Sequence, residues 1–235
     1  MVVLGVMTRM LAGAGVAVVL GGCDIGPIAT GETRRDNLHI DLDKSEAARV
    51  VLDMGAGELT IASGASKLAE GTFTYNVPEW KPVVDYRAGQ LKISQPDGAR
   101  GGFGHTVYKW DLKLNNDLPL DVSAKLGAGE ATFEMGNMNL RTVDVSVGAG
   151  KATMDLRGAP KRDYSVRIRG GVGEARVYLP KDAAIAAKAA GGIGDISVEG
   201  LVERDGLWVN PVRLDGPVTV RLDVKGGIGK IKLIR

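Results

Sequence analysis

Gly-x-Gly recurs along the chain at Gly55/Gly57, Gly127/Gly129, Gly148/Gly150, Gly171/Gly173, Gly192/Gly194 and Gly227/Gly229, and each pair is followed by a charged residue: Glu58, Glu130, Lys151, Glu174, Asp195 and Lys230. Stacked in sequence order these side chains form a ladder along one edge. Glu130, Lys151 and Glu174 alternate in sign, which favours neighbouring pairs, whereas Glu174 and Asp195 break the alternation. Two adjacent carboxylates can share a cation or act as an acid/base pair. Gly148-Ala149-Gly150-Lys151 has the look of a phosphate loop, but that chemistry needs a glycine at 145 and a hydroxyl at 152, where Val145 and Ala152 stand. His39 and His105 are far apart and have no cysteine or histidine at ligand spacing, so neither a nucleophile–base arrangement nor a zinc site is visible. No catalytic residue, metal ligand or cofactor is expected.

Cys23 invites different chemistry. It is the only cysteine, which excludes a disulfide framework within the chain. It ends the stretch Leu20-Gly21-Gly22-Cys23, behind an apolar run over residues 10–20 with Arg9 on its flank. Such a run has the proportions of a signal-peptide core and is too short to span a bilayer. Small residues ahead of a cysteine resemble a bacterial lipobox, in which the cysteine is acylated and becomes the mature N-terminus. Residues 1–22 are then a lipoprotein signal peptide and residues 23–37 a lipidated tether. The first expected partner is the lipid bilayer, where each buried acyl methylene contributes about 0.8 kcal/mol. The expected location is the bacterial cell envelope, facing the periplasm or the cell exterior.

The 235 residues include 34 glycines, with 44% apolar and 25% charged residues, and 30 basic residues nearly cancel 28 acidic ones. That apolar content with so little net charge excludes a disordered polyelectrolyte. A net charge of +2 leaves no footprint for nucleic acid. From residue 127 the glycine pairs are spaced by 21, 23, 21 and 35 residues, the period of a solenoid or array.

The elements that carry the pairs alternate apolar and polar residues, as in Val143-Asp144-Val145-Ser146-Val147 before one pair and Ala152-Thr153-Met154-Asp155-Leu156 after it. Alternation of this kind buries one face of a strand. The fold expected is all-β, a stacked-sheet β-solenoid of about 21–23 residues per coil, in one domain over residues 38–235. Residues 119–235 hold the regular repeats and residues 72–118 an aromatic-rich insertion or cap. One residue is gained between 149 and 152, as at a bulge or tight corner. Stacking aligns Ala128, Ala149, Val172, Ile193 and Ile228 in one column, expected to face inward, and Phe133, Met154, Val177, Val198 and Leu233 in a second.

Seven of the eleven aromatic residues fall between 73 and 110. They read either as a cap over an open end or as a platform for a glycan or peptide. Trp110 lies in an alternating run and belongs in the core. Trp80 stands between Pro78 and Pro82, outside any such run, and is expected at the surface or in a loop. Trp80, Tyr86 and Phe103 are the candidate interaction surface, for an envelope protein or glycan.

Residues 50–61 (Val-Val-Leu-Asp-Met-Gly-Ala-Gly-Glu-Leu-Thr-Ile), Trp110-Asp111-Leu112-Lys113-Leu114, Leu118-Pro119-Leu120, Leu126-Gly127-Ala128-Gly129-Glu130, Gly171-Val172-Gly173-Glu174 and Leu179-Pro180 together resemble the toast-rack family of bacterial envelope proteins and the related adhesin-type repeats. The likeness spans about residues 45–235. It implies a stacked β-solenoid and transfers no catalytic residue. Two function classes follow: a non-catalytic, adhesin-like envelope lipoprotein, or a calcium-dependent β-helix carbohydrate-active enzyme or glycan-binding module.

Overall fold

The computed structural model describes residues 30–96, 105–212 and 218–235. Cys23, the leader and Phe103 lie outside the described residues. Six strands of 15 to 18 residues form the body: β2 (Ala48–Ala65), β7 (Leu120–Glu134), β8 (Leu140–Asp155), β9 (Tyr164–Tyr178), β10 (Ala184–Glu199) and β13 (Thr219–Ile234). Each carries its Gly-x-Gly pair near the middle, which divides it into a first and a second arm. Inward side chains of both arms merge in one apolar core.

Parity explains the division. In β8 the buried positions are Leu140, Val143, Val145 and Val147, then Ala152 and Met154, so residues 148–151 contribute nothing to the core. The strand turns a corner there, as the extra residue foretells. Gly150 takes φ 131°, and a Cβ on it would lie 1.9 Å from the carbonyl oxygen of Gly129 in the next strand. Only glycine lets the stacked corners approach that closely.

The aligned columns are real, but the first faces outward. Ala128, Ala149, Val172, Ile228 and Ile193 are register partners in successive strands, yet Val172 is 55%, Ile228 51% and Ile193 71% exposed. The expected inward column is therefore corrected: the residue between the two glycines sits on the convex side of the corner, because the chain takes up its extra residue by turning that side chain out. The second column is inward, with Phe133, Met154, Val177 and Leu233 buried and Val198 half-buried.

The stack does not follow chain order. Its long strands run β2-β7-β8-β9-β13-β10, all parallel, so the last strand inserts between β9 and β10. The long final step in the repeat contains a hairpin, β11 (Val202–Arg204) and β12 (Leu207–Val209), which covers the first arm of β10. Buried Asn210 fixes it there: its Oδ1 accepts from the Ile185 N–H at 2.6 Å and its Nδ2 donates to the Ala183 carbonyl at 3.0 Å.

At the other end, β1 (Arg34–Ile40), β3 (Ala69–Tyr75) and β6 (Tyr108–Asn115) extend the second-arm sheet beyond β2. The strands β4 (Val83–Arg87) and β5 (Gln90–Ser94) extend the first-arm sheet. Residues 34–37, expected in the tether, instead begin β1; as an edge strand it buries only Leu38, so it carries no apolar alternation. Trp110 is fully buried, with Phe73 and Tyr108 set edge-on to it at 5.6 and 5.8 Å. Trp80 is also in the core, at 6% exposure, which corrects its expected surface position. A short 3₁₀ turn over Pro78–Trp80 folds its indole edge-on against Tyr108 at 5.5 Å. Pro78 opens that turn, and the flanking prolines do not hold the ring away from the core.

Candidate functional site

The residues that follow the glycine pairs do form a ladder, and it is longer than the repeats alone supply. In register across the second-arm sheet it reads Arg35, Thr74, Lys109, Glu58, Glu130, Lys151, Glu174, Lys230, Asp195. Inserting β13 places Lys230 between Glu174 and Asp195, so the signs alternate from Glu130 to Asp195, while Glu58 and Glu130 stay adjacent carboxylates. The carboxylate pair that could have held a cation is thus separated by an ammonium group. Among the described residues no three His, Cys, Asp or Glu side chains cluster to hold a metal ion.

The ladder is solvated. Lys109 Nζ meets Glu58 Oε2 at 2.7 Å with both groups about half exposed, and pairs of that kind contribute about 0–1 kcal/mol each. A parallel row crosses the first arms, where Asp144, Arg167, Asp223 and Lys188 alternate in register and Asp144 accepts from Arg167 at 2.9 Å. Opposite charges directly across neighbouring strands contribute about 0.2–1 kcal/mol each, and like charges oppose pairing.

The aromatic candidates do not assemble into a platform. Trp80 is buried beside Tyr108, Tyr86 is half-buried on β4, and Phe103 lies outside the described residues. Burial raises the Tyr86 phenol above its ordinary range, and the neighbouring Asp43 carboxylate adds to that. Asp43 in turn is lowered to about 2, by the Ser45 side chain first and then by the Tyr86 phenol beside it, and the Ser45 and Gly89 N–H groups donate to it at 2.8 and 3.1 Å. These contacts tie the loop before β2 to the β4–β5 hairpin. Five of the six described aromatics of this segment are buried, so it closes the end of the stack.

What the residue patterns did not disclose is an exposed apolar line on the corner. The position between the glycines is Ala in Ala56, Ala128 and Ala149, then β-branched in Val172, Ile228 and Ile193, in spatial order toward β10. Ile196, in the inward row two residues past Gly194, is also exposed, because β10 ends the stack. The signal was present as the change from Ala to Val and Ile, hidden by assigning those positions to the core.

A family model and one solved structure agree with this architecture. Residues 29–178 match the family model described as the N-terminal domain of toast_rack, DUF2154. A crystal structure from Clostridium sporogenes ATCC 15579, named a "putative cell adhesion protein", superposes with a TM-score of 0.83 at 30% identity, covering 86% of this chain and 99% of that one. A "putative adhesin" from Bacteroides fragilis NCTC 9343 is similar over 86% of this chain and 97% of its own, at 11% identity and a TM-score of 0.35. No curated protein matches the chain. With the family model covering more than half of its length and the corner glycines, parallel arms and stacked rows in place, the chain belongs to the toast-rack family.

Proposed function

We propose that the protein is a lipoprotein anchored in the bacterial cell envelope through acylated Cys23, with a non-catalytic, adhesin-like role in contacting other proteins. The observation that carries this reading is the exposed line of Val172, Ile228 and Ile193 on the corner, rimmed by the charged row that ends at Lys230 and Asp195. Apolar side chains grouped at the surface and bordered by charge suit a protein partner. The name carried by the Clostridium sporogenes relative points the same way. Among the described residues no helix is long and apolar enough to cross a membrane, and membrane attachment in this reading comes from Cys23.

Two measurements test it. Cys23→Ala is expected to move the protein out of the membrane fraction; retention after a high-salt wash would overturn the anchor. Ile193→Lys with Ile228→Lys, both at exposed positions, is expected to abolish attachment of expressing cells without changing protein level. Unchanged attachment would overturn the contact surface. The Glu174–Asp195 cation site that a calcium-dependent enzyme could use is interrupted by Lys230, and heat released on calcium titration would revive that reading.

A further inference from the structure

The second-arm sheet has two ends, and they are complementary. It runs β1-β3-β6-β2-β7-β8-β9-β13-β10. Among the described residues β1 pairs only with β3, and β10 from Ala189 onward pairs only with β13. Because β1 and β6 are both antiparallel to β3, and β6 is parallel to β2, the two end strands point in the same direction. A translated second molecule therefore presents β1 to β10 in the same parallel sense as the strands already stacked.

The β10 end is also unfinished. Its inward Ile196 is 44% exposed, whereas its row partners Leu59, Ala131, Ala152, Ala175 and Ile231 are all buried. Val198 is half-buried in a row whose other members, Leu233, Val177, Met154 and Phe133, are buried. The hairpin β11–β12 covers only the first arm, at Ala186 and Ala187. An edge with free backbone groups and uncovered apolar side chains is a template for strand addition.

We propose that a second copy of this chain fills the end, its β1 adding in parallel to the second arm of β10 and extending the second-arm rows from one molecule into the next. The sheet's own register fixes the pairing. Arg35 heads the row that Asp195 ends, His39 heads the row that Glu199 ends, and Leu38 heads the row that Val198 ends. Arg35 is exposed on β1 and Asp195 on β10, so a guanidinium of one copy faces a carboxylate of the next, while His39 falls opposite Glu199, which already pairs with Lys232. Asp36 falls beside Ile196 and is the one mismatched neighbour; its carboxylate is already engaged by the Tyr75 hydroxyl at 2.8 Å and by Lys81 at 3.2 Å. The contact is head-to-tail and does not close on itself, so it generates a row of like-oriented molecules rather than a dimer. It is independent of how the chain is anchored.

The full-length protein in detergent tests this by site-directed crosslinking. Arg35→Cys and Asp195→Cys are purified separately, with the parent carrying only Cys23 run alongside. Under mild oxidation neither variant is expected to crosslink above the parent, while their mixture gives a dimer and the double variant gives a ladder of dimers, trimers and larger species. Dimers from Asp195→Cys alone would show two-fold pairing of β10 edges and overturn the proposal, as would a mixture that stays monomeric. Sedimentation gives a second readout without added thiols. Asp195→Arg is expected to weaken association at least tenfold, and adding Arg35→Asp in the same chain to restore it. An unchanged mass for Asp195→Arg, with its thermal midpoint preserved, would equally overturn it.

Discussion

Lys230 of the last strand is the register partner of Glu174, and its own other neighbour is Asp195. Chain order puts Glu174 and Asp195 in consecutive repeats; spatial order puts a lysine between them. Strand insertion therefore settles the electrostatics of this end of the row, so that the signs alternate from Glu130 to Asp195, while Glu58 and Glu130 remain like-charged neighbours.

Lys230→Glu would place three carboxylates in a line on adjacent strands. Like charges opposite one another cost a few tenths of a kcal/mol to about 1 kcal/mol each at such exposed positions. The variant is expected to melt a few degrees lower than the parent in low salt, with most of the difference gone at 1 M salt, where screening reaches only about 3 Å. A salt-independent loss measured by calorimetry would show that packing, not charge, holds Lys230 in place.

Ala149 and Val147 separate the two sides of the corner. Val147→Asp buries a carboxylate among the apolar rows and is expected to cost several kcal/mol or prevent folding. Ala149→Asp sits on the convex side and should shift stability by less than about 1 kcal/mol. Denaturant midpoints of the pair check the corner's orientation, and equal midpoints would contradict it.

Much of this was legible from periodicity. Alternation identified the strands, the repeat spacing aligned both columns, and the position of the gained residue located the corner. Which side of that corner faces water was not legible, because Ala, Val and Ile are compatible with either side and only the backbone turn decides. The slot for β13 was equally hidden: parallel strands record no neighbour in their own pattern, and a hairpin in the long final step could have preceded a sequential coil just as well. Trp80 misled for a related reason. Prolines at 78 and 82 exclude a regular strand, but absence from a strand does not imply exposure, and a single 3₁₀ turn suffices to return the indole to the core. Of the candidate surface, the aromatic residues stood out by type, while the exposed apolar line could be found only after the corner was built.

The corner glycines make a sharper test than their frequency alone suggests. Gly150 and Gly64 both have positive φ, at 131° and 105°. A Cβ at Gly64 meets nothing within 4 Å, whereas one at Gly150 would lie 1.9 Å from the Gly129 carbonyl oxygen. Gly64→Ala should therefore show only the backbone cost, on the order of 1–2 kcal/mol. Gly150→Ala must also push two strands apart, and is expected to lose several kcal/mol more or fail to fold. Similar thermal midpoints for the two would mean that conformational freedom, not close approach, selects glycine at the corner.

Asp43 links the loop before β2 to the β4–β5 hairpin through the N–H groups of Ser45 and Gly89, and hydrogen bonding holds its carboxyl at about 2. An unfolded chain returns it to about 3.9. A group whose folded value is depressed adds stability that is fully present above its unfolded value and is lost as pH falls through its folded value. The contribution should be complete above about pH 5, decline from there, and vanish below pH 2. Asp43→Asn removes the titration while leaving a carbonyl to accept from the same N–H groups. The parent is therefore expected to be the more stable near neutrality, with the gap between parent and variant shrinking steadily from pH 5 to pH 2. Denaturant unfolding across that range reads it directly. A constant gap would show that the carboxylate's charge contributes nothing and that Asp43 serves only as an acceptor for the two N–H groups.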